Sequence, residues 1–221
     1  IVYTNRKKVG YNKNVRWELD HNDIVNEKDR LMAINNDGYF KNSEMFEVIE
    51  VESIDETPID IVWQSPNQKP KDTEGFIARV KVLSLTGEPM SMPIFIIPNA
   101  QFASAHAGNF LESISEEDKR RLEEARLAEQ DIITKEWAFR GMVTTYGYAI
   151  TAHKSQGSEF DHVYVNPDWF PDSASDEANA RWLYTAITRA AKKLWVVEND
   201  EHIREISESE VNDSFNKFTI K

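Results

Sequence analysis

The chain has 221 residues, of which 40% are hydrophobic and 29% are charged, a composition typical of a folded, water-soluble protein rather than a disordered one. It carries 26 Lys and Arg against 38 Asp and Glu, and the formal net charge of −12 argues against a protein that coats nucleic acid through bulk positive charge. The absence of cysteine excludes disulfides and cysteine-ligated metals and fits a reducing cytoplasm. No apolar run approaches the roughly 20 residues that a membrane span needs, so we expect a cytoplasmic protein without a membrane partner.

The first 35 residues predict a buried strand that runs into a helix. Residues 1–3 are largely apolar, and Thr4 or Asn5 is a suitable N-cap for a polar helix that ends near Leu19. A second helical turn is predicted over residues 28–35, where an Asn-Asn-Asp-Gly turn signal begins. Because the chain opens on a strand pattern without an initiator methionine, we interpret it as a fragment of a longer protein.

Residues 36–140 change character and predict a small β-rich domain. Four short segments have the composition of strands: residues 45–51, 59–63, 76–85 and 92–97. Several short strands at this spacing are typical of a small barrel or meander. A Ser-Glu-Glu-Asp capping box then predicts a surface helix over residues 115–130.

From residue 141 the pattern returns to strands alternating with a helix. Strands are predicted over residues 146–151, 163–165 and 194–197, and a helix is predicted over residues 177–190. Such alternation is typical of an α/β domain with a parallel sheet. Residues 201–221 are polar and weakly patterned, and we expect them to form a C-terminal tail.

The stretch after the first of these strands carries the sharpest chemical signal. Residues 151–159 read Thr-Ala-His-Lys-Ser-Gln-Gly-Ser-Glu, so hydroxyls, a lysine and backbone N–H groups follow a strand end. Ligands of open α/β folds bind at the carboxyl edge of the sheet, where such groups can hold phosphate oxygens. The alternative is an ordinary capped turn with an exposed Lys154.

A second stretch, residues 183–194, ends a helix at Arg189 and returns at once as a strand. An arginine near a helix C-terminus can simply complement the helix dipole. The functional alternative is a planar fork of N–H donors aimed at a phosphate. The two stretches occur in this order about thirty residues apart, each at a strand–helix junction, and together they favour the functional alternative.

Together these two stretches closely resemble motifs V and VI of superfamily 1 DNA helicases, in the branch that contains RecD-like and Dda-like enzymes. The segment that begins at Tyr3 and runs through Asn12 and Arg16 is similar to the motif IV region of that branch. The resemblance covers about half the chain. Residues 36–140 fit it by position, because this branch inserts an SH3-like small barrel between motifs IV and V.

The resemblance implies an ATP-dependent helicase that translocates on single-stranded DNA, in the 5′→3′ direction, and unwinds duplex. The expected fold is α/β: a RecA-like parallel-sheet motor domain, residues 1–35 and 141–200, interrupted by an SH3-like small β-barrel insertion at residues 36–140. The expected partners are single-stranded DNA, a duplex fork and the N-terminal RecA-like domain of the same protein. Replication or recombination proteins are further candidate partners, in a bacterial or phage-infected cell.

The resemblance also implies roles for individual residues. Arg189 matches the catalytic arginine finger that reaches the γ-phosphate of ATP, and Gly157 and Glu159 match the nucleotide-facing part of motif V. The residues that match DNA-contacting positions are Thr151, His153, Lys154, Ser155 and Asn5. For His153, a packed turn residue is the alternative.

The sequence lacks the segment that grips ATP phosphates. It contains no Gly-Lys-Ser/Thr P-loop, and no buried apolar strand precedes Asp176-Glu177, so that pair is rejected as a set of Mg²⁺ ligands. The expected cofactors are ATP and Mg²⁺, with the Mg²⁺ ligands in a missing N-terminal part and no metal site in this chain. We therefore expect the fragment alone not to hydrolyse ATP.

The rival interpretation is a non-motor module, derived from a helicase, that binds single-stranded DNA or protein. In that case Trp63, Phe76 and Phe95 would give the small barrel a face on which bases stack. Packing in the barrel core is the alternative use of these three side chains.

Overall fold

The computed structural model describes residues 1–34, 40–65, 68–83, 87–98, 142–167, 175–199 and 202–207, together with Glu117 and Arg120. The chain divides into two compact units, one of Ile1–Gly10 with Ala149–Lys221 and one of Tyr11–Tyr148. The first helix, α1 (Asn5–Glu18), contains the point of division. The chain therefore leaves the first unit once and returns to it once.

The unit of Tyr11–Tyr148 is a closed five-stranded β-barrel. Its strands are β1 (Arg30–Ala33), β2 (Met45–Ser65), β3 (Gln68–Leu83), β4 (Pro89–Ile96) and β5 (Met142–Tyr146). Neighbouring strands are antiparallel except β4 and β5, which are parallel, and β5 closes the barrel by pairing with β1. Closure pairs the edges that an open sheet would leave exposed.

Apolar side chains from all five strands fill the barrel. The core includes Leu31, Ala33, Val48, Ala78, Val80, Val82, Met92, Ile94, Ile96 and Met142. On β3 the buried positions alternate with less buried ones, as expected of a strand with one face in the core. β5 is buried along its whole length, because it lies between β1 and β4.

The hairpin of β2 and β3 extends past the rest of the barrel. β3 pairs with β4 only from Phe76 to Leu83, and its first half pairs with β2 alone. The segments 45–51 and 59–63, predicted as two strands, are parts of the single strand β2. Phe76 packs against the barrel core and Phe95 is buried, so these two aromatic rings serve packing rather than an open stacking face.

Two local predictions in this unit are wrong. The helical turn predicted over residues 28–35 is absent from residues 28–34, because the apolar residues from Leu31 to Ala33 are buried in the barrel as β1. The strand predicted over residues 146–151 ends at Tyr146, and the Gly147 N–H donates to the Arg30 carbonyl at 2.8 Å. A Cβ at Gly147 would lie 3.2 Å from the Leu31 carbonyl carbon, so a larger residue would crowd β1.

A buried ion pair ties the second half of α1 to the barrel. Arg16 donates from Nε and Nη2 to the two carboxylate oxygens of Asp29, each at 3.0 Å, and Asp29 has no exposed surface. Arg16 also donates to the Tyr146 hydroxyl at 2.7 Å, and its guanidinium lies 4.1 Å from the centre of the Tyr146 ring. The Arg16–Asp29 pair thus links a helix, a loop and the closing strand β5.

Further donors complete the hydrogen bonding of Asp29. The Tyr148 hydroxyl donates to its carboxylate at 2.8 Å, the Asn26 N–H donates at 2.8 Å, and His21 Nδ1 lies 2.9 Å away. Burial raises the pKa of Tyr146 to about 12, so this phenol keeps its proton and can donate to the Ile24 carbonyl. Good geometry and several hydrogen bonds are the conditions under which a buried ion pair is tolerated.

The unit of Ile1–Gly10 and Ala149–Lys221 contains a mixed three-stranded sheet. Its strands, in spatial order, are β6 (Phe160–Val165), β7 (Ala190–Asn199) and β8 (His202–Ile206). β6 and β7 are parallel, and β8 is antiparallel to β7. Val2 makes parallel bridges to Thr151 and to Asn166, which lies just past β6.

Helix α3 (Asp176–Ile187) lies between β6 and β7 in the chain and covers the sheet through Trp182 and Ala186, which pack with Val163, Val165 and Leu194. Its N-cap is Ser175, whose hydroxyl accepts from the Ala178 N–H at 3.2 Å. Asp176 and Glu177 form the first turn, where acidic side chains complement the helix dipole.

The remaining sequence predictions have mixed outcomes. Strands near residues 163–165 and 194–197 and a helix near 177–190 are confirmed, with the helix ending at Ile187. The tail predicted over residues 201–221 is wrong in its first part, because His202–Ile206 pairs with β7. The helix predicted over residues 115–130 lies outside the described residues, except that Glu117 and Arg120 are helical and exposed.

The architecture confirms a mixed α/β protein with a small β-barrel. The barrel includes β1 and β5, so it extends beyond residues 36–140 at both ends. The sheet of the other unit is mixed rather than wholly parallel, since β8 runs against β7. Among the described residues, no helix is long and apolar enough to cross a membrane.

Asp29→Asn should destabilise the barrel unit by about 3–5 kcal/mol, because it leaves the buried Arg16 guanidinium without its counter-charge. Urea denaturation followed by circular dichroism measures this change. Glu177→Gln is the matched control: it breaks the exposed Arg181–Glu177 pair on α3 and should leave the unfolding midpoint nearly unchanged. An Asp29→Asn chain that unfolds at the wild-type urea concentration would contradict this account of the pair.

Candidate functional site

The motif that begins at Thr151 forms a one-turn helix, α2 (Ala152–Ser155). Thr151 is its N-cap residue, is buried, and accepts through its carbonyl from the N–H groups of Lys154 and Ser155. The Ser155 hydroxyl is fully buried and donates to the Ala152 carbonyl at 2.7 Å. Thr151 and Ser155 therefore stabilise the turn. The side chains that the turn exposes to solvent are those of other residues.

His153 and Lys154 lie on the accessible side of α2. His153 is exposed and Lys154 is half-buried. Burial lowers the pKa of Lys154 below the usual range of a lysine. Of the predicted DNA-contacting residues on this turn, these two are placed where a ligand can reach their side chains.

The turn continues into a loop that needs glycine. Gly157 has φ of +83°, a conformation that side chains other than glycine rarely adopt, and it is open to solvent. The Ser158 N–H donates to the Ser155 carbonyl at 3.1 Å, which folds the loop back on α2. Glu159 is exposed directly before β6.

Arg189 lies between the C-cap of α3, Thr188, and the first residue of β7. Its guanidinium makes three hydrogen bonds: Nε donates to the Thr185 carbonyl at 3.1 Å, Nη1 to the Ser158 carbonyl at 3.2 Å, and Nη2 to the Thr188 hydroxyl at 3.1 Å. The side chain is half-buried. The arginine is therefore held by groups from both motifs that were singled out in the sequence.

The pairing of β6 with β7 brings these motifs together. Phe160, the first residue of β6, pairs with Ala190, the first residue of β7, and the Phe160 N–H donates to the Arg189 carbonyl at 2.8 Å. The loops that precede these two parallel strands therefore lie at the amino edge of β6 and β7, and the prediction of a site at the carboxyl edge of the sheet is wrong for Gly157 and Arg189. Gly157, Ser158, Glu159 and Arg189 are thus neighbours in space although 32 positions separate Gly157 from Arg189.

Lys8 is a buried cation that the sequence did not single out. It lies on the first half of α1 and is 4% exposed, while Lys7 beside it is exposed. Burial, and next the charge of Lys154, lower the pKa of Lys8 to about 8. In the sequence, Lys8 is the last of three consecutive cations, Arg6 to Lys8, on a predicted polar helix. Such a run usually indicates a solvent-exposed helix face, so it does not single out Lys8.

Other residues at the start of α1 and in its second half have different structural roles. Thr4 is the N-cap, because its hydroxyl accepts from the Lys7 N–H at 3.2 Å, and Asn5 begins α1 three residues before Lys8, on the same side of the helix. Asn12 donates to the Tyr146 carbonyl at 3.0 Å and Arg16 binds Asp29. The latter two residues, which belong to the motif IV similarity, are therefore structural in the barrel unit.

The described residues at this edge offer cationic side chains rather than a set of metal ligands. In the described ranges, no group of three or more His, Asp or Glu side chains is placed to hold a metal ion. An ATP phosphate or a nucleic-acid phosphate matches the donors at this edge of the sheet, whereas Mg²⁺ prefers several oxygen ligands.

Comparison with known proteins assigns the region that contains this edge. Residues 146–197 match the UvrD-like helicase C-terminal domain family. A segment of 68 residues, 31% of this chain, is 40% identical to an uncharacterized protein of Methanocaldococcus jannaschii. A segment of 57 residues, 26% of this chain, is 42% identical to the RecD subunit of the RecBCD enzyme in two strains of Mycobacterium tuberculosis.

These matches confirm the helicase resemblance at the level of the family. The similarity to the UvrD-like helicase C-terminal domain family covers residues 146–197, less than half of the chain, and the similarity to RecD is distant and partial. The matched segments span 5% of the archaeal protein and 9% of RecD. The matched family region contains α2, the Gly157 loop, β6, α3 and Arg189.

Gly157→Ala should destabilise the chain by about 1 kcal/mol, because alanine is strained at the positive φ of the loop. Gly10→Ala is the matched control. Gly10 is helical and exposed, and a Cβ there would meet no neighbouring atom within 4 Å, so alanine should stabilise α1 by about 0.5–1 kcal/mol. Urea denaturation measures both changes. Equal effects of the two substitutions would contradict the strained-loop account.

Proposed function

We propose that this chain, which is similar to the UvrD-like helicase C-terminal domain family over residues 146–197, supplies one half of the ATP site in a RecD-like superfamily 1 DNA helicase. In this proposal residues 1–35 and 141–200 contain the second RecA-like domain, and the barrel is an SH3-like insertion. A first RecA-like domain would bring the P-loop and the Mg²⁺ ligands. ATP turnover would drive movement along single-stranded DNA, with 5′→3′ polarity expected from the resemblance.

The observation that carries the proposal is the position of Arg189 against the Gly157 loop. Its guanidinium touches the Ser158 carbonyl, so the arginine and the predicted nucleotide-facing residues form one surface at the edge of the sheet. Separate structural explanations for the two motifs, a capped turn and a dipole-compensating arginine, do not require this proximity. The pairing of β6 with β7 creates it, and a phosphate ligand would make use of it.

The proposed chemistry of Arg189 is charge stabilisation. During hydrolysis water attacks the γ-phosphorus, the bond to the β–γ bridging oxygen breaks, and negative charge grows on that oxygen and on the γ-phosphoryl oxygens. A planar guanidinium offers two parallel N–H donors to such oxygens. To do so, Arg189 would exchange its present hydrogen bonds to neutral oxygens of Ser158 and Thr188 for stronger ones to a charged ligand.

The proposed contact with DNA lies on α2. His153 and Lys154 are accessible, and Lys154 can donate to a phosphate of the strand. Thr151 and Ser155 would support the turn rather than contact the strand, since the Ser155 N–H donates to the Thr151 carbonyl and the Ser155 hydroxyl donates to the Ala152 carbonyl. Because Gly157 lies two residues after the end of α2, one short segment would join the strand to the nucleotide.

A non-motor binding module is the second candidate function, but no observation favours it. The barrel residues suggested for base stacking include Phe95, which is buried, and Phe76, which packs on the core. Binding of DNA without any ATPase activity in the full-length protein would support that candidate instead.

In the full-length protein, Arg189→Ala should lower kcat for ATP hydrolysis by roughly 10³-fold or more while changing ATP affinity little, because the finger acts on charge that develops in the transition state. Arg189→Lys should restore little, because an ammonium lacks the planar fork. Steady-state ATPase assays and nucleotide titration separate kcat from binding. Arg181→Ala, an exposed arginine on the same helix, is the control and should keep near-normal kcat.

The outcome that contradicts the Arg189 assignment is a near-normal kcat in a well-folded Arg189→Ala protein. A low kcat in both Arg189→Ala and Arg181→Ala would equally count against a specific role. The same loss of ATP affinity and of kcat/KM, with kcat unchanged, would mean that Arg189 only binds nucleotide.

Lys154→Ala should weaken binding of single-stranded DNA of every sequence and lower the salt slope of the affinity by about 0.7, the value for one lost phosphate contact. Fluorescence anisotropy over a salt series measures the slope, with melting temperature as the folding control. Lys192→Ala, which removes an exposed lysine paired with Asp161, is the matched charge control. An unchanged slope in a folded Lys154→Ala protein would remove Lys154 from the DNA site.

A further inference from the structure

The hydroxyl of Thr188 holds the guanidinium of Arg189 at the end of α3. Arg189 Nη2 donates to Thr188 Oγ1 at 3.1 Å, and this hydroxyl donates in turn to the Tyr184 carbonyl, one helical turn earlier, at 2.8 Å. Because the single proton of the hydroxyl is used on the helix, Thr188 meets Arg189 as an acceptor. The two hydrogen bonds form a chain from the guanidinium to the helix backbone, in which each bond polarises the other.

The end of α3 also attracts the guanidinium through its backbone. Arg189 Nε donates to the Thr185 carbonyl at 3.1 Å, in the last turn of the helix. The carbonyl groups at a helix C-terminus carry partial negative charge, which favours a cation there. A phosphate of bound ATP would therefore compete with the end of α3 for the same arginine.

The third contact of Arg189 comes from the Gly157 loop rather than from α3. Nη1 donates to the Ser158 carbonyl at 3.2 Å, and the Ser158 N–H donates to the Ser155 carbonyl of α2 at 3.1 Å. The backbone of Ser158 is thus bonded to α2 on one side and to Arg189 on the other. A displacement of α2, where the DNA contact is proposed, would reach the arginine through this residue.

A threonine hydroxyl that bonds to the carbonyl one turn earlier is common in helices and is usually explained by local structure alone. Thr185 does this on the same helix, where its hydroxyl donates to the Arg181 carbonyl at 2.9 Å. The two threonines differ in one respect: the Thr188 hydroxyl also accepts from the guanidinium, whereas Arg189 contacts the backbone of Thr185. This additional bond is what the local explanation leaves without a use.

We infer that Thr188 is a positioning residue, a latch whose hydroxyl holds Arg189 away from ATP until single-stranded DNA is bound. The inference rests on the proposed function, because it takes Arg189 as the arginine finger and α2 as the DNA contact. Without DNA, the arginine must give up its bonds to Thr188 and Ser158 before it reaches the γ-phosphate, which slows hydrolysis. With DNA, movement of α2 loosens the Ser158 contact and the latch opens.

The first experiment measures ATP hydrolysis by the full-length protein with and without a saturating oligodeoxythymidylate. Thr188→Val keeps the shape of the side chain but removes the acceptor, and the φ of −70° at this position suits valine. We expect kcat without DNA to rise about three- to tenfold, the range for one lost hydrogen bond, and kcat with DNA to change less than about twofold. Thr188→Ser keeps the hydroxyl and should retain both parent values.

Two controls separate the latch from the stability of α3. Ser175→Ala removes the N-cap hydroxyl at the other end of the helix, so it should lower the melting temperature without raising kcat in the absence of DNA. In an Arg189→Ala background, Thr188→Val should change neither kcat value, because the hydrogen bond that it removes no longer exists.

The second experiment uses the same protein without nucleotide or DNA. Nitrogen NMR follows the rotation of the Arg189 guanidinium about its C–N bonds, which a hydrogen bond at Nη2 slows, and the Arg189→Lys variant assigns its signals. Thr188→Val should accelerate this rotation by about three- to tenfold, since one hydrogen bond no longer has to break. Thr188→Ser should leave the rotation rate unchanged.

Several outcomes would overturn the inference. Unchanged rotation in Thr188→Val would mean that the hydroxyl does not hold the arginine, and faster rotation with an unchanged kcat in the absence of DNA would mean that this hold does not restrain hydrolysis. An equal rise of kcat with and without DNA, a fall in both, or the same rise in Ser175→Ala would also exclude a latch that DNA opens. A near-normal kcat in Arg189→Ala would instead overturn the proposed function, so the two failures are distinguishable.

Discussion

The hydrogen bonding between the starts of β6 and β7 is the constraint on which the candidate site depends. The Phe160 N–H donates to the Arg189 carbonyl, and from that point the two strands run parallel into the core. The pairing of Phe160 with Ala190 places the loop after α2 beside the end of α3, and the register then shifts by one residue before His162 pairs with Lys193. Loss of the Phe160–Ala190 pairing would separate Arg189 from the Gly157 loop.

The barrel has its own organising interaction, the buried pair of Arg16 and Asp29. It joins the end of α1 to the loop before β1 and, through Tyr146, to the strand that closes the barrel. The first strand of the barrel, β1, and its last strand, β5, are antiparallel neighbours, although more than a hundred residues separate them in the sequence. This geometry is well suited to an insertion within another domain.

The sequence predicts correctly those elements whose hydrophobic pattern fits a strand or a helix but not both. The strands at β6 and β7 and helix α3 follow from short apolar runs that alternate with a helical pattern, and the two motifs lie at the junctions between these elements. β1 could not be predicted in this way, because a four-residue apolar segment fits a strand or a helical turn equally well, and only the pairing with β2 and β5 decides between them.

The site itself was predictable only in part, for a related physical reason. Arg189 and Gly157 lie within motifs that are recognisable in the sequence. Lys8, in contrast, is one of three consecutive cations, and only its burial distinguishes it from the other two. Ser155 shows the opposite case: its place in the motif suggested a phosphate contact, but its hydroxyl donates to the Ala152 carbonyl instead. Burial and hydrogen-bond partners depend on contacts between distant segments, which local sequence does not contain.

The central claim is that Arg189 leaves Ser158 to reach the γ-phosphate of ATP. A crystal structure of the full-length protein with ADP, Mg²⁺ and aluminium fluoride tests it most directly, because the fluoride marks the position of the transferred phosphoryl group. The account predicts a guanidinium nitrogen of Arg189 about 3 Å from a fluoride or phosphate oxygen, with the bond to the Ser158 carbonyl broken. Arg189 still bound to Ser158 and Thr188, in a site closed around the nucleotide by other cations, would contradict it.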